Sequence, residues 1–283
     1  MIIRLSNNND VKQIISLWNE AFGDSENEIR FFLDNNFIPE NTLIAEENGR
    51  IASMLFLLEG NMKINNSHYP SFYLYAACTA NDYRGRGYMS CMLKDAKRTA
   101  LSRNKDFICL LPGENSLFEF YKKHGYKTVF SKKVLTINRN DFKKNFVIEN
   151  VDRVNFEELR NNAFFPFDYF EWSNESIEFA AEHTEFYSGK RLTSRKGYCL
   201  YSENGHEATV KEFAFAEENF EYGISLLFSS CTSEIIKVNL PSNYKTKSEE
   251  YEIFSSGMIC PVSIRSESIV KNLYNAYLGL TLD

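Results

Sequence analysis

The sequence predicts a mixed α/β fold built in two parts. Three observations carry this. Over the first 137 residues the apolar spacing switches back and forth between strand and helix periods, giving the order βααβββαβαβ. A continuous apolar run at 107–111 has the character of a central strand buried on both faces. The chain has 283 residues, about two domains' worth at roughly 150 residues each.

The elements follow in order. Residues 2–5 read as a short strand. Val11, Ile14, Ile15, Trp18 and Phe22 fall on one face of a helix, which Gly23 ends. Ser25 followed by Glu28 is a capping-box pattern for a second helix, with Ile29, Phe32, Leu33 and Phe37 on one face and Pro39 as its stop. Strands at 42–45 and 51–59 are joined by Asn48-Gly49, a strong hairpin turn. A turn at Asn65-Asn66 leads to a β-rich run at 72–79. The next helix, 87–102, carries Met89, Met92, Leu93, Ala96 and Ala100 on one side. After the 107–111 run, Pro112-Gly113 breaks the chain, a short helix runs to His124, and Gly125 caps it. A strand at 128–137 closes this half.

The polar stretch 138–150, with Lys143-Lys144, marks the expected boundary, so the expected domains are 1–140 and 141–283. In the second half, helices are expected at 156–163, 177–186 and 220–230. Strands are expected at 198–201 and 208–215, around the Asn204-Gly205 turn, and at 235–240 and 258–264. This β-turn-β-α-β run resembles 56–112 in outline. An internal duplication would explain it, and so would an ordinary α/β domain.

Composition narrows the function. Apolar residues make up 43% and charged residues 25%, average for a globular protein. The net charge of −6 argues against nucleic-acid binding as the main activity. No stretch reaches the roughly 20 apolar residues of a membrane span, and the start turns polar too soon for a signal peptide. The nearest cysteines, Cys78 and Cys91, are 13 positions apart, and the four histidines are scattered. Zinc ligands normally come in close pairs, so no metal is expected. Reduced, mostly buried thiols in a cytoplasmic protein are expected.

The stretch from Phe72 to Ser90 is the most informative. A strand runs into a short loop, an Arg-Gly-x-Gly turn and a helix. Gly85 and Gly87 allow close approach of the backbone to a ligand. The helix start then presents N–H groups and the positive end of its dipole, suited to a diphosphate. Arg84 and Arg86 add charge.

Here the sequence resembles the GNAT superfamily of acyl-CoA-dependent N-acetyltransferases. The family pattern is Arg or Gln, two residues, Gly, one residue, Gly or Ala; this chain reads Arg84-Gly85-Arg86-Gly87-Tyr88-Met89. A second family motif, a buried strand, a helix with Tyr and then Gly-Phe or Gly-Tyr, is matched by 107–111, Tyr121 and Gly125-Tyr126. The resemblance covers about residues 1–137. It implies a mixed central sheet of the GNAT type and acetyl-CoA as the donor. It places Ala77, Cys78 and Thr79 along the pantetheine arm, Arg84 to Ser90 around the diphosphate, and Asn115 near the cofactor. Two departures stand out. Met89 replaces the usual small residue, and Glu114 stands where the family has Asn, which is displaced to Asn115. Both resemble the enhanced-intracellular-survival branch, whose members carry a second, degenerate acetyltransferase-like half. Residues 198–262 are then the degenerate half, without an Arg-x-x-Gly-x-Gly equivalent.

The chemistry needs an amine made neutral by a base, a donor for the oxyanion, and a proton for the departing thiolate. The resemblance gives the last role to Tyr121, against the plain reading of a core tyrosine. The oxyanion donor is expected from the strand N–H near Cys78, itself read as a small buried residue rather than a nucleophile. No carboxylate or histidine lies on 72–79. Glu59 and Glu114 are candidate bases, and the branch resemblance adds the C-terminal carboxylate of Asp283. Lys94 and Arg98 read as a solvated helix face before they read as contacts to the 3′-phosphate. Acceptor contacts are expected from the corner Phe22-Gly23-Asp24-Ser25 and from the second half. The aromatic run 164–172 reads first as packing, and second as a wall in which Asp168 or Glu171 meets a cationic amine. The expected partner is a small amine, with no nucleic acid and no membrane; a homo-oligomer is compatible. Two rivals stay open: a non-catalytic acyl-CoA-binding module, and an aminoacyl transferase using charged tRNA.

Overall fold

The fold is described from a computed structural model, which covers residues 1–142, 146, 151, 153–247 and 250–281. Lys143, Lys144 and Asp283 therefore lie outside the described residues. The chain divides into two compact units, one of residues 1–60, 69–127 and 258–272, the other of 61–68, 128–257 and 273–283. Each is interrupted in sequence, whereas a single boundary at 140/141 was expected.

In chain order the elements begin with β1 (Ile2–Leu5), α1 (Val11–Phe22) and α2 (Glu26–Asn36). Gly23 ends α1 in the left-handed conformation, φ 83°. Ser25 and Glu28 form the reciprocal capping box that starts α2. β2 (Thr42–Glu47), β3 (Arg50–Ile64) and β4 (Ser67–Thr79) follow, then α3 (Tyr88–Ser102), β5 (Phe107–Leu110), α4 (Asn115–Lys122) and β6 (Lys127–Asn138). β3 and β4 are longer than expected because 61–64 and 67–71 continue the same hairpin. The second half contains α5 (Phe156–Phe164), β7 (Tyr169–Glu171), α6 (Asn174–Phe186), β8 (Lys190–Ser194), β9 (Gly197–Asn204), β10 (Glu207–Phe215), α7 (Phe220–Ser230), β11 (Ile235–Pro241), β12 (Tyr251–Pro261) and α8 (Ile264–Val270).

The sheet of the first unit has the order β1-β2-β3-β4-β5 and then residues 258–261 of β12. β1, β2 and β3 pair antiparallel, β4 and β5 parallel. All four residues of β5 are buried, as its apolar run requires. Such a strand needs partners on both edges. β4 supplies one, and Met258–Pro261 supplies the other, antiparallel, from Met258↔Leu110 to Pro261↔Phe107. The strand expected at 258–264 as part of the second half thus belongs to the first unit and stops at Pro261, where α8 follows. Leu55, Leu57, Phe72, Met92, Ala96, Ile108, Met258 and Cys260 share the core.

In the second unit β8, β9 and β10 pair antiparallel, β10 and β11 parallel, and β11 pairs antiparallel with β6, from Ile235↔Asn138 to Pro241↔Lys132. A hairpin, a helix and a parallel strand thus recur: β3-β4-α3-β5, in the first unit apart from the hairpin tip 61–68, and β9-β10-α7-β11 in the second. α7 sits close on the sheet: a Cβ at Gly223 would lie 2.5 Å from the ring of Phe213. The aromatic run 164–172 is packing here. Phe164, Phe167, Tyr169, Phe170 and Trp172 are buried, and β7 pairs with 61–63 of β3. Residues 276–280 lie across the same elements. Tyr277 N–H donates to Asp168 O at 2.8 Å, Phe170 N–H to Tyr277 O at 3.0 Å, and the Trp172 indole to Leu280 O at 3.0 Å.

Beneath them Arg160 of α5 donates from Nε to Glu212 Oε1 of β10 at 2.7 Å, with both side chains fully buried. Removing one partner of such a pair leaves an uncompensated buried charge, typically about 3–5 kcal/mol. Glu212→Ala should therefore destabilise the second unit by about that amount. Urea denaturation followed through far-UV circular dichroism checks it.

Candidate functional site

The site lies in the first unit, where β4 runs past β5. The parallel ladder holds Ser71↔Phe107, Phe72↔Ile108 and Tyr73↔Cys109 and ends there, while β4 continues to Thr79. Ala76 takes φ 47°, a left-handed conformation that kinks the strand. Beyond the kink, β4 is tied from its other side. Ser53 Oγ of β3 donates to Cys78 O at 2.7 Å, and Ala80 N–H donates to Ala52 O at 2.9 Å. Ala77 and Thr79 stay half-buried beside this gap.

After β4 comes a tight turn. Arg84 folds back and donates from Nε to Thr79 O at 3.0 Å. Gly85 and Gly87 take φ 75° and 82°. Nothing lies within 4 Å of a Cβ built at either, so the backbone conformation is what calls for glycine there. Gly87 is the N-cap of α3 and makes no side-chain cap. The first helical bond is Cys91 N–H to Gly87 O, at 3.1 Å. The N–H groups of Tyr88, Met89 and Ser90 therefore lack intrahelical acceptors and point out of the helix start. Around them is an open cleft of about 390 Å³ lined by Thr79, Tyr83, Arg84, Gly85, Gly87, Tyr88, Met89, Ser90 and Phe120. Arg86 lies outside this lining, stacked 5.5 Å from the centre of the Tyr83 ring. The arrangement suits a diphosphate at the helix start, with an extended arm passing along β4.

The other expected residues fall as follows. Cys78 is buried, and burial pushes its thiol up to about 12, which keeps it from acting as a thiolate. Tyr121 sits in the core against Phe120 and Tyr126, each ring 5.4 Å away. Burial pushes its hydroxyl up to about 12, so it holds its proton throughout the physiological range. Asn115 opens α4 and is exposed. Neither Tyr121 nor Asn115 lines the cleft at the helix start. Glu114 accepts from Ser116 Oγ at 3.1 Å, and Glu59 accepts from Lys105 Nζ. At the α1–α2 corner Asp24 is fixed by the Trp18 indole at 2.8 Å. Trp18 in turn lies 5.8 Å from the Tyr75 ring of β4. In the second unit Glu171 pairs with His68 at 2.6 Å, and Asp168 accepts from Asn65 N–H at 2.8 Å. Both carboxylates are thus engaged by their own unit.

One contact at the cleft has no spacing signal in the sequence. Ser90 Oγ, on the first turn of α3, lies 3.1 Å from Nε2 of His124 in the turn after α4. The only cue is that His124 directly precedes the helix-ending Gly125. No group of histidine, cysteine and acidic residues able to hold a metal occurs among the described residues.

Comparison with known proteins agrees with this geometry. Residues 2–129 match the model of the acetyltransferase (GNAT) domain family. A GCN5-related N-acetyltransferase from Anabaena variabilis superposes with a TM-score of 0.76 at 13% identity, covering 94% of this chain and 74% of that one. A GCN5-related N-acetyltransferase from Kribbella flavida gives 0.74 at 13% identity, covering 96% and 74%. No curated protein matches the chain. The protein therefore carries a GNAT acetyltransferase domain in its first 129 residues. Over most of its length it shares its fold with Eis1 from Mycobacterium abscessus, with a TM-score of 0.69, 11% identity and 93% and 74% coverage.

Gly87→Glu tests the helix start. It forces a side chain into the left-handed conformation and sets a carboxylate beside the three outward N–H groups. Affinity for CoA should be lost while the unfolding temperature falls by only a few degrees, since αL strain costs roughly 1–2 kcal/mol. Titration calorimetry reads the first and thermal unfolding the second.

Proposed function

We propose that the protein transfers an acetyl group from acetyl-CoA to the primary amine of a small acceptor by direct attack. The observation that supports this most is the glycine turn opening onto the start of α3, beside the point where β4 leaves β5, within a GNAT domain. Arg84 to Ser90 hold the diphosphate, and Ala77 to Thr79 lie along the pantetheine. The N–H near Cys78 donates to the oxyanion, and Asn115 borders the arm. The amine nitrogen forms a bond to the thioester carbonyl, the C–S bond breaks, and Tyr121 gives its proton to the departing sulfur. The amine loses its proton to a base, a role the family resemblance places at Asp283.

One donor is bound per chain. The turn from β10 to α7 reads Ala216-Glu217-Glu218-Asn219, with no glycine pair and with two carboxylates that would repel a diphosphate. A cytoplasmic site of action fits six free cysteines, five of them buried. No helix among the described residues is long and apolar enough to cross a membrane. Binding of acyl-CoA without catalysis is the second reading, supported by the engagement of Glu59 and Glu114 with their own neighbours.

Thiol release from acetyl-CoA, measured against polyamines, aminoglycosides, amino acids and peptides, separates the two. Release with an amine acceptor supports transfer, whereas saturable binding with no release across the panel leaves the binding module. On a confirmed acceptor, Tyr121→Phe should lower kcat by about 10²–10⁴-fold with little change in KM for acetyl-CoA. Loss of turnover and of thermal stability together would mark Tyr121 as structural.

A further inference from the structure

Ser90 and His124 bring the end of α4 to the beginning of α3, inside the first unit. Ser90 lines the cleft, and so does Phe120, whose ring lies 4.8 Å from the imidazole. His124 thus stands one hydrogen bond behind a residue whose N–H faces the helix start. We infer that His124 is a proton-coupled contact for the diphosphate: seating that group at the start of α3 draws a proton onto the imidazole. The inference rests on the CoA reading given above.

The surroundings of His124 are cationic. α3 contributes Lys94, one turn beyond Ser90, together with its positive dipole end. α4 and the turn after it contribute Lys122 and Lys123, and β6 begins with Lys127. The nearby carboxylates serve elsewhere: Asp95 accepts from Arg98 at 2.5 Å, Glu119 from Lys122 at 3.4 Å, and Glu114 from Ser116. Partial burial, and then the charge of Lys94, hold the His124 imidazole below its usual value. In the free protein it is therefore neutral at pH 7. A diphosphate brings two negative charges to the same place and reverses the balance. Histidine is the side chain whose ordinary titration range makes that reversal felt near neutrality. The sign follows. The group is lowered in the free state and raised in the bound state, so binding takes up a proton. Affinity rises as pH falls through the bound value and levels off below the free one.

Dephospho-CoA is the suitable probe. The 3′-phosphate monoester of CoA has its own second ionisation near about pH 6, and the probe lacks it, while its diphosphate stays ionised. Calorimetry at pH 6.5 in two buffers of different ionisation enthalpy reads the proton count. A Kd series from pH 6 to 8 reads the linkage. The wild type should take up a fraction of a proton and bind about three- to tenfold tighter at pH 6 than at pH 8, the upper figure being what a rise of about one pH unit in the imidazole's pKa on binding would give. His124→Gln should bind without proton uptake and with a flat pH profile. His124→Asn, a second neutral replacement, should behave as His124→Gln does, and an unchanged thermal unfolding midpoint in both variants guards against a folding defect. Normal binding by the wild type with no uptake overturns the inference and leaves the CoA reading standing. So does uptake that persists in His124→Gln. Failure of the wild type to bind either CoA or dephospho-CoA overturns both.

Discussion

The parallel ladder between β4 and β5 holds three residue pairs, from Ser71↔Phe107 to Tyr73↔Cys109, and the site depends on how short that ladder is. A longer one would close the sheet and leave no room beside Ala77 to Thr79. A weaker one would leave a fully buried strand with an unpaired edge. The chain meets both demands by taking Met258–Pro261 as the second neighbour of β5. β4 is then free to part from β5, and Ser53 and Ala52 hold its far end from the β3 side. The glycine turn inherits its position from that parting. Arg84 closes back onto Thr79 and so ties the loop to the end of the strand.

The same economy appears in the second unit. β11 has β10 on one side and β6 on the other. Each hairpin-helix-strand repeat is thus completed by a strand distant in sequence. The repeats share an architecture and differ in the turn that leads into the helix. Where the first has Gly85 and Gly87 with positive φ, the second has Glu217 and Glu218 in a short 3-10 turn. The second repeat spends its burial on a packed interior, with Gly223 letting α7 settle on Phe213 and the Arg160–Glu212 pair holding α5 to β10.

Local physics made much of this legible. The capping box at Ser25 and Glu28, the Asn48-Gly49 and Asn204-Gly205 turns, and the apolar stripe of α3 each mark an element within a few residues. β8 escaped because Lys190 and Arg191 dilute its alternation, and α8 because seven residues give too little period to count. β7 was hidden within an aromatic run that reads as packing, and it is packing as well as strand. The partnership of 258–261 with β5 is a non-local pairing, about which neither segment carries a local cue. At the site, the glycine turn was legible because its chemistry is written in consecutive residues. The Ser90–His124 contact was not, since it joins positions 34 apart that meet only when α3 and α4 pack together.

The course of β12 bears on how the protein is made. Its first residues lie in one unit and its last in the other, so the acetyltransferase domain lacks an edge until residue 258 has left the ribosome. At about 5–20 residues per second, the interval after residue 127 emerges is roughly 7–26 seconds. Through that time β5 has an unmet row of backbone donors and acceptors beside a strongly apolar strand. Truncation before residue 258 would leave that edge of β5 without its folded-state partner.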